Sequence, residues 1–322
     1  GCGIPPVRTG IYRKEMTQMA NVLTFGETMA LLTAESPGAL KDAPLFKRSV
    51  CGAEMNVSVG LTRLGHCVSY ISRVGQDPFG EHILDFMEEQ KISARFIGVD
   101  AQWRTGMQLK EKTMDGRDPL VVNFRKGSAF SHITIEELPL VDWQQIDHLH
   151  VTGITAGLSM DARTTMLHLM DTAREQGAPI SFDPNLRPTL WASQEEMTRV
   201  INEVAAHADI VLPGHGEGKI LTGEKEPEAI ADTYLARGAK TVIVQLGTDG
   251  AFTKNDDGST FHTSAFPVTH VVDTVGAGDG FAVGVLSGIL EGLSLPEAVR
   301  CGAAIDALVV MTAGDNEGLP TK

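Results

Sequence analysis

The sequence predicts an α/β fold: a mostly parallel central sheet with helices on both faces, and a small β-sheet lid projecting from it. Short β-branched apolar runs alternate with helix-like stretches, the pattern of parallel strands joined by crossover helices. Two stretches break that rhythm, with strand-like alternation and no helix between. The length of 322 residues suits one large domain, since α/β folds often stay undivided at that size.

In chain order, residues 1–18 mix Gly, Pro and charge without periodicity or an apolar signal core. They read as a disordered leader or expression remnant ahead of a single domain spanning 19–322. Strands are expected at 21–26, 67–73, 146–151, 179–182, 208–212, 241–246 and 260–266, each a short apolar or β-branched run. Helices are expected at 53–64, 80–89, 162–176, 193–206, 226–237, 274–290 and 296–310. The last opens with Pro296 in its first turn, where a missing N–H is tolerated. Lid strands fall within about 31–50 and 104–125, where polar and apolar residues alternate. Such a cover keeps water from a reacting centre. Its exposed strand edges also suit pairing of two copies, so a homo-oligomer, a dimer through the lid, is expected.

The formal net charge of -14, without a basic stripe, excludes nucleic acid and anionic membrane as partners. The longest apolar stretches, near 281–290 and 303–312, carry Gly, Ser or Asp and fall short of a membrane span. Cys2, Cys51, Cys67 and Cys301 form no CxxC pair and read as reduced thiols, which favours a cytoplasmic location. Asn56-Val57-Ser58 matches a glycosylation sequon, but nothing else suggests secretion.

One segment carries chemistry. Residues 271–285 read VVDTVGAGDGFAVGV. Gly276 and Gly278 let the backbone turn tightly and approach a ligand. A helix starting there aims free N–H groups and the positive end of its dipole at one spot, a site for phosphate or a transferring phosphoryl group. Asp279, embedded in that turn, can accept a proton from an attacking hydroxyl; the alternative is a simple helix cap. Two decoys fail. The third glycine of a dinucleotide fingerprint would fall on Phe281. Around Gly214-His215-Gly216-Glu217-Gly218-Lys219, a phosphate-binding P-loop would need Gly and Ser or Thr where Pro213 and Ile220 stand.

Asp273, Thr274, Gly276, Ala277, Gly278, Asp279 and Phe281 fit the form D-T-x-G-A-G-D-x-F, so the segment resembles the C-terminal signature of the ribokinase-like, or PfkB, carbohydrate kinases. Gly52-Ala53-Glu54-Met55-Asn56 and Gly75-Gln76-Asp77-Pro78-Phe79-Gly80 resemble the N-terminal signature. The resemblance implies a ribokinase-like fold, ATP with Mg2+, and a monovalent cation such as K+. It implies Asp279 as general base and Gly276, Ala277 and Gly278 as the anion hole, with Asp273 beside the cation. It implies Gly52 and Asn56 holding sugar hydroxyls, and Glu217 organising magnesium through phosphates or water. The Gly247-Thr248-Asp249-Gly250 turn would bind the nucleotide. Two positions depart from the pattern: Gly214 replaces an expected Asn, and Gln245 an expected Lys.

The stretch 123–129 resembles the lid strand of 2-keto-3-deoxygluconate kinases and some fructokinases, and 181–187 their FDxNxR segment. Asp183 and Arg187 belong to the second, Arg125 to the first. Two guanidinium forks suit a carboxylate, so the substrate reads as a sugar or sugar acid. Tyrosines that keto-deoxy-sugar kinases carry near the lid are replaced by Gln108 and Asn123. A ketohexose kinase, a nucleoside kinase of the same fold and a catalytically silent sensor stay open.

Overall fold

In the computed structural model, residues 19–113 and 119–322 are described; the expected leader and part of the second lid stretch lie outside them. Strand β1 (Asn21–Phe25) runs into β2 (Met29–Ala34) and β3 (Phe46–Cys51), then α1 (Ala53–Arg63) and β4 (Cys67–Gly75). Helix α2 (Pro78–Glu89) begins earlier than expected because the Asp77 carboxylate accepts the N–H groups of Phe79 and Gly80, a cap with proline just inside it. After β5 (Ile97–Asp100) come β6 (Met107–Lys110), β7 (Val121–Phe124) and β8 (His148–Thr152). Then follow α3 (Gly153–Leu158), α4 (Met160–Glu175), β9 (Ile180–Asp183), α5 (Gln194–Ala205) and β10 (Ile210–Val211). The chain continues through α6 (His215–Thr222), α7 (Pro227–Leu235), β11 (Thr241–Gln245), β12 (Ala251–Asn255) and β13 (Thr260–Thr263) to α8 (Ala277–Leu290) and α9 (Leu295–Val310).

Among the described residues the large sheet has the order β13-β12-β11-β10-β9-β8-β1-β4-β5. Pairing is parallel from β11 through to β5, and antiparallel only where β12 and β13 close one edge. The small sheet, β3-β2-β6-β7, pairs β2 with β6 in parallel and is otherwise antiparallel. Alternate strand residues feed two cores. Phe25, Val151, Phe182 and Val244 pack with Met166, Met170, Val204 and Tyr234 on one face. Val22, Tyr70, Val74 and Ile243 pack with Leu61, Met87, Leu286 and Val299 on the other. Strands covered on both sides are largely apolar; the buried polar exceptions His148 and His150 of β8 are satisfied by Ser181 Oγ of β9 at 2.8 Å each. Among the described residues no helix is long and apolar enough to cross a membrane.

The structure adds elements the pattern did not suggest: β5, β12, α3 and α6. β12 carries Lys254 and Asn255 toward an edge, and α3 is a single short run, so neither has a clear period. The helix expected from residue 274 starts at Ala277 instead. Asp273 Oδ1 accepts the N–H of Val275, and Gly276 takes φ 83°, which stops helical geometry there.

Candidate active site

The residues singled out in the sequence gather at the carboxyl ends of the parallel strands and under the lid, where open α/β sheets form their crevice. Asp279 lies in the first turn of α8 and is 8% exposed. Its Oδ2 accepts from Asn56 Nδ2 at 2.8 Å and its Oδ1 from Asn185 Nδ2 at 3.2 Å. Burial pushes its carboxyl up to about 6, against the pull of the Asn56 hydrogen bond and the Arg187 charge. The geometry keeps a basic carboxylate in place, aimed by two amides.

In the first turn of α8 the Ala277 N–H donates to the Thr274 carbonyl at 3.4 Å, whereas the Gly278 and Asp279 N–H groups have no earlier carbonyl in the helix to bond. Gly276 is fixed by its surroundings: besides its positive φ, a Cβ there would sit 2.6 Å from the carbonyl oxygen of Asp315. A cleft of about 230 Å³ opens in front of this turn, lined by Ala277, Gly278, Gly247, Gly250, Gln245 and Asp306 among others. The expected anion hole and most of the expected nucleotide turn therefore share one cleft. Thr248 is exposed at the tip of its turn and does not line that cleft. Gln245 donates to the Leu212 carbonyl at 3.0 Å, so its amide braces the strand end.

Several expected ligands of the sugar are committed to protein partners. Asn56 donates to Asp279 and accepts from Asn316 Nδ2 at 3.4 Å, which makes it an aligner of the carboxylate in this structure. Gly52 takes φ 140°, and a Cβ there would meet the Glu27 carbonyl oxygen at 2.6 Å. Arg125 is buried, its Nε donating to Glu27 Oε2 at 2.6 Å, while Ser128 Oγ donates to the other oxygen of Glu27. Arg187 is exposed and lies close enough for its charge to act on both Asp279 and Asp183. Asp183, buried at the end of β9, accepts the N–H of Asn185 at 2.9 Å. Burial, then the neighbouring charges of Glu217 and Asp279, pushes its carboxyl well up. Glu54 is buried beside it in α1, accepting from Thr152 Oγ1 at 2.7 Å, and burial lifts it to about 7.

Glu217 accepts the N–H of Gly214 at 2.9 Å and that of Leu186 at 2.7 Å, tying the start of α6 to the loop after β9. Glu217 lies close enough for its charge to act on Asp183, an acidic pair near the expected anion hole. Magnesium keeps most of its waters and binds mainly through phosphates, so such a pair fits its outer shell. Among the described residues no cluster of three or more acidic, His or Cys side chains forms a protein-only metal cage. The Asp273 carboxylate does not fit a mobile monovalent cation: Lys110 Nζ already donates to its Oδ2 at 2.6 Å and to Asp315 Oδ1 at 3.1 Å.

Residues 19–322 match the family profile of the pfkB family carbohydrate kinases. The chain belongs to the pfkB family. This pfkB carbohydrate kinase is 46% identical to the 2-dehydro-3-deoxygluconokinase of Bacillus subtilis (strain 168) over 94% of its length and 93% of the relative's. The crystal structure of a PfkB protein from Polaromonas sp. JS666 superposes with a TM-score of 0.85 at 44% identity, covering 94% of this chain and 97% of that one. A structure from E. coli described as ribokinase II, in complex with ATP and Mg2+, gives a TM-score of 0.83 at 26% identity over 93% and 96% of the two chains. The large parallel sheet, its flanking helices and the small second sheet are those of a ribokinase-like kinase.

Sequence reasoning about this pfkB kinase passed over four side chains. Asn185 was quoted within 181–187 but given no role; its φ of 39°, which Asn tolerates better than most residues, aims its amide at Asp279. Lys110 and Asp315 carry no local signal, because their partnership spans more than two hundred positions. Asp306 stands within the apolar run 303–312, where its charge was read only as interrupting a membrane span; burial lifts its carboxyl to about 6.

Proposed function

We propose that this kinase transfers the terminal phosphoryl group of ATP to a hydroxyl of a 2-keto-3-deoxygluconate-like sugar acid, with Asp279 as general base. One observation carries the proposal: a buried carboxylate with an amide donor on each oxygen stands in the helix turn whose residues Ala277 and Gly278 line the cleft. A substrate hydroxyl meeting that carboxylate gives up its proton as its oxygen attacks the terminal phosphorus. The bond from that phosphorus to the leaving oxygen of the diphosphate then breaks, and the N–H groups of 277–279 face the charge carried by the equatorial oxygens. Magnesium, when bound near Glu217 and Asp183, neutralises charge on the phosphates.

The acid assignment is supported by the substrate in the name of the B. subtilis relative. It is also supported by exposed Arg187, whose guanidinium fork suits a carboxylate. Gln108 pairs with Asn123 across the lid strands and supplies amides for hydroxyls where related kinases carry tyrosines. We infer a dimer through the lid, because Met107, Leu109, Val122 and Phe124 lie together on the face opposite Gln108 and Lys110. ATP use and the free thiols Cys51, Cys67 and Cys301 fit the cytoplasm.

ADP release measured with 2-keto-3-deoxygluconate, fructose and adenosine tests the substrate. The expected ranking puts the acid first by at least roughly tenfold in kcat/KM, equivalent to about 1.4 kcal/mol of transition-state discrimination. A preference for adenosine or fructose overturns the assignment. Silence with every acceptor favours the sensor.

A further inference from the structure

We propose that the Lys110 ammonium is a built-in counter-cation that positions the anion hole, so that catalysis needs no free monovalent cation at Asp273. The inference rests on reading 276–279 as the anion hole. Lys110 ends β6, a lid strand, and is 5% exposed; Asp315 is 6% exposed. Its ammonium bridges Asp273 and Asp315 at 2.6 and 3.1 Å. Burial works against that charge, but the two carboxylates outweigh it and leave the Lys110 pKa above the usual lysine value.

The two acids hold the backbone that shapes the phosphate site. Asp273 Oδ1 fixes the Val275 N–H at 3.1 Å, one residue before Gly276. The Asp315 carbonyl packs against Gly276 so closely that no Cβ fits between them. The next residue, Asn316, donates to the Val50 carbonyl of β3 at 3.0 Å and to Asn56 Oδ1, the amide that aligns the base. Left without a counter-charge, buried Asp315 and half-buried Asp273 would repel each other and pull this turn apart. A mobile potassium ion could balance them, but here the ammonium lies between them and repels a second cation. Potassium and ammonium are close in size and take similar oxygen ligands, so one substitutes for the other. Tethering has a consequence a free ion lacks: the charge arrives with the lid. Lid placement and anion-hole geometry are thereby coupled, and Lys110 is a positioning residue.

The test compares the wild type with Lys110→Met and Lys110→Arg in chloride salts of choline, Na+, K+ and NH4+ at constant ionic strength. Turnover is followed by ADP release and melting temperature by calorimetry. Wild-type kcat is expected to agree within about twofold across the salts, since no cation-dependent step is left to it. Lys110→Met is expected to lose at least tenfold in kcat in choline, with a smaller change in KM, and to regain much of it in K+ or NH4+. Its melting temperature should rise on exchanging choline for K+, whereas that of the wild type should not move. Lys110→Arg should keep most of the turnover. Manyfold activation of the wild type by K+ overturns the proposal, a result that needs no variant to fold. A Lys110→Met loss that neither ion restores also overturns it. Asp279→Asn, assayed in the same salts, separates this from the site reading. Inactivity in all of them leaves the base assignment standing whatever Lys110 does, and activity removes it.

Discussion

Asp279 is held in a state that suits the general base proposed for it. A carboxylate in water is too weak a base for a neutral hydroxyl, and burial raises its proton affinity while two amides keep it aimed. Asp279→Asn keeps the shape and removes the base, so turnover should fall by roughly 10² to 10⁴, with the melting transition retained. A retained rate would end its assignment. The pH profile follows from the same residue. The base works only when ionised, so kcat/KM should fall as pH drops through about 6 and level off above it. The Asn56 hydrogen bond favours the ionised form; Asn56→Ala removes it, and the acid limb should move to higher pH. A limb that stays put or moves down would show that Asn56 does not tune the base.

Helices α8 and α9 work as a pair. They carry the proposed anion hole and line part of the cleft before it, and they approach so closely that a Cβ at Gly284 would lie 2.5 Å from backbone atoms of Cys301 and Gly302. Backbone cannot swing aside as a flexible side chain does, so Gly284→Ala must separate the helices. The expected loss is about 1–3 kcal/mol, the usual range for overpacking, read as a lower urea midpoint with unchanged slope. An unchanged midpoint would mean that the pair can slide apart freely, and the site with it.

The whole molecule places the candidate site between the carboxyl ends of the large sheet and the small sheet that covers them. The outer face of that cover exposes Phe124 (53% exposed) and Leu120 (55% exposed). A contiguous apolar face exposed to water usually meets a partner, and a second lid is one of matching character. Light scattering after size exclusion should give a dimer for the wild type and a shift toward monomer for Phe124→Glu. A monomeric wild type removes the lid dimer.

Fold class, the alternation of strands and helices and the phosphate turn were legible in sequence because each is local. Residues 67–73 declare a buried strand by composition alone, and Gly276 to Asp279 declare an anion site by glycine spacing next to a helix. Boundaries moved where a side chain reached back to the backbone, as Asp77 did at α2 and Asp273 before α8. What the chain by itself determined is the scaffold and the glycine turn that holds the proposed base. Only the tertiary structure decided which side chains are free to act: Asn56 and Arg125 turn out to be engaged by Asp279 and Glu27, while Asn185 and Lys110 enter the site from remote parts of the chain. Periodicity records which face of an element is buried. Which charge a buried charge meets is fixed by contacts between distant elements, and no local pattern encodes it.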